Sequence, residues 1–102
     1  MLFMSLMHPD ARLPNAAQQQ KLCLMLHAAL VDIRMLAWQG HSEQAADLAD
    51  AFHNLPHEIW DDSFSLSYFR QVFLTPYCRK WPDQQTYDYH RLLDEVELLK
   101  SS

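Results

Sequence analysis

The run with the clearest capacity for chemistry is Asp47-x-x-Asp50-x-x-His53, followed closely by His57 and Glu58. Side chains three apart share a face of a helix, so two carboxylates and an imidazole at this spacing offer oxygen and nitrogen donors to one divalent cation. Asp47, Asp50 and His53 are therefore the candidate metal ligands. The plainer reading makes them the solvated face of an amphipathic helix, with hydrogen-bonding groups gathered at the Asn54–Pro56 turn. A second acidic pair, Asp94 and Glu97, repeats the spacing near the C-terminus.

Two such pairs on facing helices would resemble the all-α nucleotide pyrophosphatases, which hold Mg²⁺ on Glu- and Asp-rich helical motifs. That resemblance implies a divalent-metal-dependent hydrolase, although the glutamates it calls for are missing from the Asp47 helix. A di-iron bundle needs a carboxylate-x-x-His pair on two helices, and only Asp50-x-x-His53 is present. His53-x-x-x-His57 lacks the glutamate of a zincin and is interrupted by Pro56. Cys23 and His27 stand four apart, but a cysteine on an apolar stripe keeps a raised pKa and stays inert. No nucleophilic triad is legible.

The aromatic series Trp60, Phe64, Tyr68, Phe69, Phe73, Tyr77, Trp81, Tyr87 and Tyr89 could line a small-ligand groove, with Arg70, Arg79, Lys80 and Arg91 as an anion clamp. At helical spacing such residues read more simply as core and interface.

The elements that must position these groups are helices. Trp38 to Pro56 holds the only glycine, Gly40, where a long helical pattern ends; glycine closes a helix because it enters the left-handed region without a Cβ clash. Ser42 is the expected cap of the next helix and Glu43 puts negative charge in its first turn. Two intervening residues make an antiparallel αα-hairpin. In the second helix Ala45, Leu48, Ala49 and Phe52 give the apolar side.

Before the hairpin, residues 1–14 read as an apolar arm, with Asn15 the cap of a first helix over Ala16–Gln39, about 35 Å long. Leu22, Cys23, Leu26, Ala29, Leu30, Ile33, Leu36 and Ala37 form its stripe, while Leu24, Met25, Val31, Met35 and Trp38 fall partly outside it. A helix apolar over most of its circumference is central or covered by a partner. The expected interface therefore joins Leu2, Phe3 and Leu6 of the arm to Met25, Met35 and Trp38 of the helix.

After the second helix, Pro56 opens a short turn through Trp60, and Ser63 or Ser65 caps a helix carrying Phe64, Leu66, Phe69, Val72 and Phe73. Thr75-Pro76 is expected to kink or restart it. Asp83 is the expected cap of a last helix with Tyr89, Leu92, Leu93, Val96 and Leu99 on its core side. The fold class is all-α: one bundle of four main helices plus one or two short turns, organised as an arm (1–14) and a helical domain (15–102).

Composition narrows the partners. A net charge of −5 and a pI near 5.5 disfavour nucleic acid and anionic membranes, which reward a basic face. A single glycine removes every Gly-rich phosphate cradle. Two cysteines without a CxxC pair point to free thiols and a cytoplasmic setting. The opening Met1–Met7 lacks a basic n-region and a cleavage site, so neither a signal peptide nor an anchor is expected.

Ile33, Arg34, Leu36 to Gly40, Glu43 to Pro56, Trp60, Phe64, Ser65, Phe69, Trp81 and Pro82 carry a pattern of the kind IRxLAWQG, EQAADLADAFHNLP, W, FS, F and W/YP. In these residues the chain resembles a family of small helical bacterial proteins without an established activity. The resemblance spans Ile33 to Tyr89 and implies a bacterial, cytosolic, helical protein, with no catalytic residue. The expectation is a non-enzymatic helical interaction module acting as a homodimer, with no cofactor, no nucleic acid and no membrane. The alternative is the metal-dependent hydrolase using Asp47, Asp50 and His53.

Overall fold

The computed structural model describes residues 14–61, 63–82 and 88–99, and all regular structure among them is helical. Helix α1 (Ala16–Trp38) is the longest. It is followed by α2 (Ser42–Phe52), α3 (Leu55–Trp60), α4 (Leu66–Phe69), a π-helical turn (Arg70–Leu74), α5 (Thr75–Lys80) and α6 (Tyr89–Leu98). The arm residues 1–13, and with them Leu2, Phe3 and Leu6, lie outside the described residues.

Asn15 caps α1 with a full capping box: its Oδ1 accepts from the Gln18 N–H at 2.8 Å, and Gln18 Oε1 accepts from the Asn15 N–H at 3.1 Å. The same two side chains reach across the molecule. Asn15 Nδ2 donates to the Leu99 carbonyl (2.9 Å) and Gln18 Nε2 to the Val96 carbonyl (3.0 Å), which also accepts the Leu99 N–H at 3.1 Å, so both side chains reach acceptors in the last turn of α6. The start of α1 is thus tied to the end of α6, and the two run antiparallel.

At its other end α1 closes in a Schellman motif. The His41 N–H bonds to the Leu36 carbonyl and the Gly40 N–H to the Ala37 carbonyl, with Gly40 at φ 85°. This closure takes the chain directly into helix at Ser42. Ser42 is therefore the first helical residue rather than the expected cap; His41 occupies that position and makes no side-chain cap bond.

Helix α2 buries Gln44, Ala45, Leu48, Ala51 and Phe52. Phe52 sits at the centre of an aromatic cluster, 5.3 Å from Phe69 and 5.0 Å from Tyr89 between ring centroids. It links α2 to α4 and to α6, with Leu22, Met25 and Ala29 of α1 closing the core from the opposite side.

Pro56 lies in the first turn of α3, and Ser65 caps α4 by accepting from the Tyr68 N–H. At Pro76 the helix does not restart behind a side-chain cap. A proline removes the N–H that the Val72 carbonyl would receive, and the chain accommodates this with the π turn just before it, where the Thr75 N–H reaches back to the Arg70 carbonyl. Asp88 caps α6, accepting from the Arg91 N–H; Asp83, the expected cap, is outside the described residues. No helix among the described residues is long and apolar enough to cross a membrane.

Candidate functional site

Helix α2 and the segment Arg70–Lys80 enclose an open groove of about 340 Å³, with Ala51, Val72, Phe73, Pro76 and Tyr77 as its apolar lining. All three expected metal ligands line it, yet they do not form a ligand set. Asp47 accepts from Lys80 Nζ at 2.8 Å and from Trp81 Nε1 at 3.0 Å, so its charge is already neutralised by an ammonium. These hydrogen bonds, that of Lys80 first, hold the Asp47 carboxyl below the usual carboxylate range. The same bonds, with a second contact to Glu43 at 3.1 Å, raise Lys80 above its usual value.

His53 is turned to its own helix, Nδ1 donating to the Asp50 carbonyl at 2.8 Å. Among the described residues no three His, Cys, Asp or Glu side chains converge as a metal site. The spacing placed Asp47, Asp50 and His53 along one groove, but non-local partners from α5 decide what Asp47 binds.

The other candidates separate in the same way. Asp94 is held by Arg70 at 2.8 Å, and Arg70 also bonds His90 Nδ1 at 2.9 Å. His57 Nε2 pairs with Asp61 at 3.1 Å rather than with His53. Of the expected anion clamp, Arg70, Lys80 and Arg91 each engage carboxylates of their own. Cys23 is exposed rather than on a buried stripe, while Cys78 is half-buried and desolvation pushes its thiol up.

Two buried polar contacts carry no sequence signature. Gln44 is 1% exposed and its Nε2 donates to the buried Tyr77 hydroxyl at 2.9 Å, leaving Gln44 Oε1 without a hydrogen-bond partner. Burial raises the Tyr77 phenol. Asp32 accepts from the Tyr89 hydroxyl across the α1/α6 contact, and burial together with this bond raises the Tyr89 phenol well above its usual range. Both contacts join residues far apart in the chain, so no local spacing could reveal them.

The most distinctive surface is on α1. Leu24 (60% exposed), Leu30 (58%), Val31 (41%), Met35 (44%) and Trp38 (70%) all face outward from this one helix, whereas Trp60, Val72 and Leu98 stand singly on other elements. Isolated exposed apolar residues are ordinary, but a contiguous row is not. Met25, expected in the interface, is 0% exposed and belongs to the core, since the inward face of α1 is set by Leu22, Met25 and Ala29. Met35 and Trp38 are on the surface, and the Arg34 guanidinium lies 4.3 Å over the Trp38 ring.

Beside this row, α1 and α6 border a groove of about 440 Å³, with Leu24, Ala28, Val31 and Leu92 as apolar lining and Lys21, Asp32, Arg91 and Glu95 around it. Glu95 is fixed there by Lys21 (3.0 Å) and Arg91 (3.1 Å), and the Lys21 bond leads in lowering its pKa.

Compared with protein-family models, curated proteins and solved structures, the chain finds no match. The functional reading therefore rests on the physical character of these surfaces.

Proposed function

We propose that this chain is a non-enzymatic helical interaction module that works as a homodimer, with α1 as its contact helix. The observation that carries the reading is the row Leu24, Val31, Met35 and Trp38, left exposed on a helix whose opposite face completes the core. Each large apolar side chain fully withdrawn from water contributes about 1.5–3 kcal/mol. Association costs about 4–15 kcal/mol in lost freedom, so a paired row is of the right size to overcome it.

The charge distribution supports the same partner. The chain has 13 acidic residues and a net charge of −5, yet the exposed residues of α1 include no carboxylate. Two copies can meet there without bringing carboxylates together. Leu2, Phe3 and Leu6 are proposed to belong to the same contact. The free thiols Cys23 and Cys78 suit a reducing cytoplasmic setting.

A Val31→Glu substitution tests the reading by placing a carboxylate in the middle of the row. Light scattering after size exclusion is expected to give a concentration-dependent mass for the unmodified chain and a monomer for Val31→Glu, with equal helical circular dichroism. Equal self-association by both chains would refute α1 as the contact.

A further inference from the structure

Resting on that reading, we infer that the two copies pair α1 against α1 antiparallel about a two-fold axis at Val31, each seating its Trp38 in the α1/α6 groove of the other. Leu24, Val31 and Trp38 recur every seven residues, so their row runs nearly straight along the helix and is symmetric about Val31. Turning a second copy end for end about that centre keeps Val31 on Val31 and brings Trp38 opposite Leu24, which lines the groove. This is the isologous relation a closed dimer requires. A helical side chain leans toward the N-terminus of its own helix. In the antiparallel partner that lean carries the indole over Ala28, into the groove.

Area selects this arrangement over a bare helix contact. In this register only residues 24–38 of each α1 overlap, about 21 Å of helix, and strips about 10 Å wide along that length bury only about 420 Å² in total, short of the roughly 1,000 Å² a specific interface needs. A tryptophan seated in a pocket on each side adds about 150–250 Å² of its own surface per copy, along with the groove walls it covers. The shortfall is then made up by Trp38, the most exposed large apolar side chain of α1.

Cross-linking separates the register from dimerisation itself. In a chain with Cys23→Ser and Cys78→Ser, Val31→Cys places one thiol on each side of the two-fold axis, where a disulfide can close. Leu24→Cys places them at opposite ends of the contact. Oxidation is expected to give a covalent dimer for Val31→Cys and none for Leu24→Cys, and Trp38→Ala is expected to weaken self-association of the otherwise unmodified chain at least tenfold. A dimer by mass in which Leu24→Cys cross-links and Val31→Cys does not would overturn the register and leave the homodimer standing. Unchanged self-association in Trp38→Ala would overturn the seating of the indole. A monomer at every concentration would remove both readings.

Discussion

At the scale of single residues, the worth of a polar contact follows from its burial. The Gln44–Tyr77 pair lies in the core. Tyr77→Phe would leave the Gln44 amide buried with no partner, and stranding a buried polar group costs about 1–3 kcal/mol. Chemical denaturation should show that loss, and Gln44→Leu added to Tyr77→Phe should recover most of it, because removing both partners leaves nothing stranded.

Asp47 behaves differently because it is at the surface and its effect is electrostatic. Its folded pKa is lowered from 3.8, so it contributes stability that is fully present above that value and is lost as pH falls through the depressed one. Lys80, raised from 10.5, contributes below that value and loses its contribution as pH rises through the raised one. The stability advantage of the unmodified chain over Asp47→Asn, followed by thermal melts, should therefore be flat near neutrality and shrink below about pH 4. An advantage that grew on acidification would contradict the Lys80–Asp47 contact.

At the scale of elements, helix boundaries carry much of the architecture. Gly40 holds φ 85° with nothing within 4 Å of where a Cβ would lie, so Gly40→Ala meets only the backbone penalty of the left-handed region, about 1–2 kcal/mol. Asn15→Ala loses more than a cap. It removes the bond to Gln18 N–H and the tie to Leu99 together, so the cost should reach or pass the upper end of the ~0.5–2 kcal/mol range for caps. Differential denaturation of the two variants checks the order, Asn15→Ala being the more damaging.

These boundaries were legible in the sequence because caps, glycines and prolines act locally. Asn15, Gly40, Pro56 and Ser65 each do what their chemistry dictates. The burial pattern of α1 was not legible. That helix is apolar nearly all round, so periodicity does not choose the inward face; Cys23, Leu30 and Ala37 turn outward while Met25 and Ala28 turn in. The choice is made by what α2 and α6 offer, and above all by the ties from Asn15 and Gln18 to the end of α6. Non-local partners also decide the surroundings of the candidate metal ligands. Asp47, Asp50 and His53 share a groove as their spacing implies, but Lys80 and Trp81 arrive from a segment some thirty residues away and satisfy Asp47 first.

At the scale of the whole molecule, a complete core and an unfinished surface coexist. Phe52, Phe69, Tyr89, Leu93 and Leu48 close the interior, and the apolar residues left over gather on the outer face of α1. A second copy is the partner proposed for this face, whose exposed α1 residues include no carboxylate. The measurement that tests this most directly is sedimentation equilibrium of the full chain over a wide range of concentration. The account predicts a mass that rises from 12.0 kDa toward twice that value and saturates there. A mass of 12.0 kDa at every concentration would contradict it and leave the α1 row without its proposed role.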